Sequence, residues 1–163
     1  MAPKTPKNNW HPELPDYLNR LVDDINVAAG IDRDPIRFPR LWPKGPDREV
    51  VAIISALLSY GRATSIGGAI TSAVNRMGSS PSTAAMDDSI DDAQERFGDF
   101  YYRVTRGDDV ARVFLGLGAI LRSHGSISNA LATWNDPAPD FRPLLSKLRK
   151  EIVRNTADFA GHR

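Results

Sequence analysis

Apolar residues recur at helical spacing along most of the chain. Between Glu13 and Ala29, the residues Leu14, Tyr17, Leu18, Leu21, Val22 and Ile25 fall on one face, which predicts an amphipathic helix. Gly30 suits the position just past its end. The stretch from Ile31 to Pro46 breaks the rhythm with Pro35, Pro39, Pro43 and Pro46. Each proline lacks an N–H donor and restrains the residue before it, so no helix runs through. Ile36, Phe38, Leu41 and Trp42 are nevertheless apolar, which predicts an extended strap laid on the core.

Asp47 reads as an N-cap, with Glu49 in the first turn where a negative charge suits the helix dipole. The helix Val50 to Ser59 is apolar nearly all round, the pattern of a central, buried helix. Tyr60 to Thr64 reads as a turn. Ser65 to Met77 is a further helix with Ile66, Ala69, Ile70, Ala73, Val74 and Met77 on one face, ended by Gly78. Ser80-Pro81 starts a short helix, since proline is tolerated at its first position. The acidic residues Asp87, Asp88, Asp91, Asp92 and Glu95 then read as a solvated face.

Asp108 is placed to cap a helix carrying Val110, Val113, Phe114, Leu117, Ile120 and Leu121, broken at Gly125-Ser126. Ile127 to Trp134 is a short helix, residues 135–139 a turn, and Phe141 to about Asp158 a last helix. Phe141, Leu144, Leu145, Leu148 and Ile152 make its inner face. No alternation of period two persists. The fold class is all-α, a bundle of about seven or eight helices. Residues 1–12 read as a disordered lead-in and 13–163 as one helical domain, complete or cut short.

Composition narrows the chemistry. The 163 residues carry 21 Lys plus Arg against 20 Asp plus Glu, so any basic surface must be local. Cysteine is absent, which removes disulfides, zinc-thiolate sites and thiol nucleophiles. His11, His124 and His162 lie far apart in sequence, and no metal or cofactor is expected. His124 reads as a structural residue at a helix end. No apolar run is long enough to span a bilayer and no signal-peptide core is visible, so a cytoplasmic location is the expectation. The pairs Asp23-Asp24 and Asp91-Asp92 are adjacent and do not face each other on a helix, so neither makes an acid/base dyad. Gly116 and Gly118 sit inside a helical pattern and read as close packing rather than a phosphate loop.

The informative segment is Leu57-Leu58-Ser59-Tyr60-Gly61-Arg62-Ala63-Thr64-Ser65. A buried helix delivers a tight turn that leads into a new helix. Gly61 is available for positive φ. Thr64 or Ser65 can cap the next helix, whose free N–H groups would hold an anion. Gly67 and Gly68 leave room for another backbone. Tyr60 and Arg62 at such a turn suit stacking on bases or contact with phosphate. The plain alternative is that Tyr60 packs, Arg62 pairs with an acid and the glycines serve helix packing. On the last helix Lys147, Lys150 and Arg154 form a possible phosphate-contacting stripe.

Asp34-Pro35-Ile36-x-Phe38-Pro39, Asp47-x-Glu49-Val50-Val51 and Ser55-Ala56-Leu57-Leu58-Ser59-Tyr60-Gly61-Arg62 together resemble a bacterial conserved family of unknown function. Arg96-Phe97, Phe100 and Arg103, and Ile120-Leu121 with His124-Gly125-Ser126, extend the resemblance over about Tyr17 to Leu148. That family is remotely similar to helix-hairpin-helix DNA glycosylases. Leu57 to Thr64 resembles the glycosylase turn that inserts into DNA at a lesion, one residue longer and without its glutamine. The hairpin itself and the segment carrying the glycosylase aspartate have no counterpart here. The resemblance therefore implies the helical core of such a domain, an N-terminal portion with no catalytic residue to carry over.

Two functions compete. One is a DNA-binding or DNA-repair-like domain using Tyr60, Gly61, Arg62, Thr64, Ser65, Lys147, Lys150 and Arg154. The other is a non-catalytic interaction module, binding a protein or a second copy through exposed apolar surface. Convergence of Arg62, Arg76, Lys147, Lys150 and Arg154 beside Tyr60 would favour the first, and scatter the second.

Overall fold

A computed structural model describes residues 12–24, 27–134 and 140–159. Residues 1–33 and 34–163 form two units. The expected lead-in falls almost wholly outside the described residues, as do the expected turn at 135–139 and Ile25.

In the first unit the described residues form α1 (Leu14–Asp24) and α2 (Val27–Arg33), so helix extends past Ala29, where the spacing ends it. Gly30 is interior to α2, not past its end. The chain stays helical to Arg33 because the restriction imposed by Pro35 falls on Asp34, which is extended at φ −85° and ψ 143°. Tyr17, Leu18, Leu21 and Val22 of α1 are exposed.

In the second unit the strap is not extended. It winds into two 3₁₀ turns, Pro35–Arg37 and Pro39–Leu41, the first capped by Asp34 Oδ1 accepting from Ile36 N at 2.8 Å. Phe38 is buried and Trp42 half-buried, whereas Ile36 and Leu41 face solvent. Tight turns point successive side chains in different directions, so only part of the apolar set reaches the core.

Seven helices follow: α3 (Pro46–Leu58), α4 (Ala63–Met77), α5 (Pro81–Asp87), α6 (Ile90–Phe97), α7 (Gly107–His124), α8 (Ile127–Trp134) and α9 (Arg142–Arg154). A two-stranded antiparallel hairpin, β1 (Tyr101–Tyr102) and β2 (Thr105–Arg106), interrupts them between α6 and α7. The all-α class holds, with nine α-helices among the described residues. None of the described helices is long and apolar enough to cross a membrane.

The core forms around α7, which packs against α3, α5, α6, α8 and α9. Ala111, Phe114 and Leu117 are fully buried on it. Gly116 and Gly118 are close-packing residues. A Cβ on Gly118 would lie 1.8 Å from the Ala85 carbonyl oxygen of α5, and one on Gly116 would lie 2.7 Å from Ile152 Cγ2 of α9.

Two carboxylates in the first turn of α3 tie other helices to it. Asp47 does not cap its own helix, whose N-cap is Gly45 with Pro46 at the first position. It accepts instead from Ser82 N at 2.7 Å and Ser82 Oγ at 2.6 Å, at the start of α5. Glu49 accepts from Ile127 N at 2.7 Å, Ser128 N at 3.2 Å and Ser128 Oγ, at the start of α8. Each acid satisfies N–H groups that a helix start leaves unpaired. Arginines serve the opposite ends. Arg96 donates to the Arg76 carbonyl near the end of α4 at 2.9 Å, while gripping Asp88 at 2.6 and 2.8 Å. Arg112 donates to the Phe159 carbonyl beyond α9 at 2.8 Å. The acidic stretch is thus only partly a solvated face, because Asp88 is committed to Arg96.

Three further apolar residues expected to face inward are exposed. Leu57 is 52% exposed, because α3 turns Ala56 and Leu57 outward while Ile54 and Leu58 point in. Phe141 and Leu145 are exposed at α9, where Ile152 is buried and Leu144 and Leu148 are half-buried.

Candidate nucleic-acid interface

The turn between α3 and α4 is held by its own polar groups. Ser59 Oγ donates to the Ser55 carbonyl at 2.6 Å, and Tyr60 N donates to the Leu58 carbonyl at 2.9 Å. Gly61 has φ +103°, the conformation expected of it. Arg62 is extended and stands as the N-cap of α4 with no side-chain capping bond. Thr64 and Ser65, expected as caps, lie within the first turn because Ser65 N and Ile66 N both donate to the Arg62 carbonyl. The N-terminus of α4 therefore opens to solvent, with Arg62, Ala63, Thr64 and Ser65 all exposed. No second backbone approaches Gly67 or Gly68 among the described residues. Gly68 faces open space, and a Cβ on Gly67 would meet only the Arg37 guanidinium at 3.5 Å.

Tyr60 is half-buried against Tyr102 of the hairpin, ring centroids 5.1 Å apart. The two tyrosines are reciprocally bonded. Tyr60 Oη donates to the Tyr102 carbonyl at 3.0 Å, and Tyr102 Oη donates to the Tyr60 carbonyl at 2.5 Å. Thr105 Oγ1, 2.7 Å from Tyr60 Oη, supplies the second bond that a hydroxyl oxygen accepts. The Tyr60 ring is committed to the hairpin.

The hairpin brings arginines that were not singled out from the sequence for this site. The Arg103 guanidinium lies against Gly61, where a Cβ would fall 2.5 Å from its Nε, and 5.9 Å from the centre of the Tyr102 ring. Gly61 is thus required for its φ, and a side chain there would also displace the Arg103 guanidinium. Arg103 is the one non-glycine residue at positive φ among the described residues, at 56°. Register pairs Tyr101 with Arg106 and Tyr102 with Thr105. Tyr102 and Thr105 face the turn, which leaves Tyr101 and Arg106 exposed on the outer face. Neither Arg62 nor Arg106 is in an ion pair among the described residues.

The Lys147 end of the α9 stripe stands elsewhere. Lys147 lies 5.6 Å from the Trp134 ring centre, and Trp134 meets His124 edge-on at the end of α7. The Tyr60 turn joins the hairpin that leads into the start of α7, about 27 Å away along that helix. Arg154 pairs with Glu151, and Arg76 pairs with Asp99 at 2.7 Å near the end of α4 remote from Arg62. Lys150 is exposed. Lys147 and Arg76 therefore do not join Arg62 at the turn.

Residues 34–162 match the model of a protein family of unknown function, DUF2400. The chain belongs to DUF2400. Neither a curated protein nor a solved structure matches it. The DUF2400 segment takes in the turn, the hairpin and every helix from α3 onward. Several residues that look like motif chemistry within it, Asp47, Glu49 and Arg96, are the ones joining helix ends.

Proposed function

We propose that the DUF2400 segment of this chain is a DNA-contacting helical domain of the glycosylase-like kind, in a bacterial cytoplasmic setting. It grips the sugar–phosphate backbone at the turn 59–62 and assigns no catalytic residue to this chain. The observation that supports this is Arg62 at the uncapped N-terminus of α4 with the Arg103 guanidinium against the adjoining Gly61, on a turn locked by the tyrosine pair, while Arg106 is exposed on the outer face of the same hairpin. Open helix N–H groups and guanidinium donors are both phosphate ligands. The DNA-repair part rests on the resemblance of Leu57 to Thr64 to the glycosylase turn. Tyr60 acts by positioning the hairpin, and Lys147 and Lys150 lie outside the contact.

Fluorescence anisotropy of the full chain with a short labelled duplex tests this. Binding is expected to be sequence-tolerant and salt-dependent, with Kd on the order of 10⁻⁴ to 10⁻⁶ M at physiological salt. Arg62→Ala or Arg106→Ala lowers the salt slope by about 1, and Lys150→Ala leaves it unchanged. Flat anisotropy at low salt with a folded protein refutes the proposal. A second reading draws on α9, where Phe141 (77%), Leu145 (61%) and Val153 (50%) are exposed. Such a surface suits a protein partner or a second copy, and sedimentation equilibrium detects the latter.

A further inference from the structure

The hairpin presents two kinds of surface. Its inner face, Tyr102 and Thr105, is fastened to the turn. Its tip and outer face carry Val104, 84% exposed, and Tyr101, 69% exposed. No packing inside the fold accounts for two apolar side chains at that position. A pair of two-residue strands is too small to hold its shape alone, so the tyrosine lock is what keeps the tip fixed. Arg103 and Arg106 neighbour these side chains in the hairpin, and Arg62 follows Gly61, against which the Arg103 guanidinium lies. The surface is an apolar point on a fastened support, with three exposed arginines in the hairpin and the adjoining turn.

We infer that the hairpin tip is a wedge, with Val104 and Tyr101 entering a base step while the arginines hold the flanking phosphates, and that the preferred ligand is a duplex whose stacking is already broken. This rests on the proposed DNA contact and names its substrate class. Charge complementarity selects a polyanion over a neutral apolar partner. Apolar side chains that enter base steps must first unstack them. A bulge, an abasic position or a mismatch has already lost part of that stacking, so it binds more tightly than an intact duplex. The fixed tip adds to the preference, because little ordering remains to be done on binding.

The test compares a labelled intact duplex with the same duplex carrying a central bulge, titrated with the full chain at one low salt concentration. Wild type is expected to prefer the bulge on the order of tenfold or more, the factor that partial relief of unstacking supplies. A fluorescent adenine analogue beside the bulge should change its emission on binding. Val104→Ser and Tyr101→Ser should bring the ratio of the two affinities toward one, and Val104→Leu should keep it. Both positions, Val104 and Tyr101, are solvent-facing, and thermal melts of the variants confirm that the fold persists. Equal affinity of wild type for both duplexes, with Arg62→Ala still weakening both, overturns the wedge and leaves the phosphate contact standing. A preference that survives Val104→Ser and Tyr101→Ser in folded protein also overturns the wedge. Absence of binding to either duplex at low salt overturns the wedge and the DNA contact together.

Discussion

Tyr60→Phe removes one oxygen from the junction between turn and hairpin, and two hydrogen bonds go with it. These are the bond donated to the Tyr102 carbonyl at 3.0 Å and the one shared with Thr105 Oγ1 at 2.7 Å. Each is partly buried, and a typical bond of this kind contributes about 1 kcal/mol net. The loss is therefore about 1–3 kcal/mol, with the ring contact to Tyr102 retained. Tyr60→Ala removes the ring as well. A half-buried aromatic and its ring pair add roughly 2 kcal/mol more. Denaturant melts read the first number directly, and thermal melts should fall by about 3–4 °C per kcal/mol for a unit of this size. The partner change Tyr102→Phe deletes the bond to the Tyr60 carbonyl, 2.5 Å in the intact protein. Because both hydroxyls close the same junction, the double variant should lose less than the sum of the singles, with a coupling of about 0.5–1 kcal/mol. If Tyr60→Phe melts with wild type while Tyr60→Ala weakens duplex binding without loss of stability, the ring meets bases directly and the positioning role is wrong.

The two ends of α3's apolar set should separate cleanly. Ile54→Ala should cost about 2–5 kcal/mol as a core truncation, and Leu57→Ala well under half of that because its side chain is largely solvated, both read by denaturant melts. Glu49→Ala should destabilise by about 2–3 kcal/mol, since the N–H groups of the buried Ile127 and of Ser128 at the start of α8 lose their acceptor. Hydrogen exchange at the start of α8 should rise most, and an unchanged pattern there would contradict the capping role. Gly118→Ala should cost about 3 kcal/mol or more, or shift α5 away from α7, because the added methyl meets backbone. A wild-type melt for Gly118→Ala would mean the two helices separate easily.

Long apolar faces were the legible part of the chain. Ile70, Ala73, Val74 and Met77 on α4, and Val110, Phe114, Leu117 and Leu121 on α7, are all buried as their spacing requires. The small-residue pair Gly116 and Gly118 was readable for the same reason. Helix ends were less legible, since a cap depends on which side chain reaches which backbone group. Thr64 and Ser65 have the chemistry of caps, yet the chain enters α4 one turn too early for them. Asp47 has the chemistry of a cap and uses it on α5 rather than on its own helix. Leu57, Phe141 and Leu145 are apolar residues on faces that neighbouring helices leave open, and periodicity alone cannot say where a neighbour stops.

The candidate site was half visible for a related reason. Tyr60, Gly61 and Arg62 announce a turn locally, but what they do is set by a segment 42 residues further on. Strands of two residues carry no detectable alternation, so the hairpin had no pattern to find, and with it went Tyr101, Val104 and Arg106. The stripe Lys147, Lys150 and Arg154 is a true helical spacing on α9, whose Lys147 lies toward Trp134 and His124 rather than beside the Tyr60 turn. The tyrosine pair converts a local signal into a site. It fixes the tip of an otherwise marginal hairpin against an uncapped helix start, and brings Arg103 over Gly61. A substitution at Tyr102 should therefore disturb the arginine arrangement as much as one at Tyr60, although Tyr102 itself is buried.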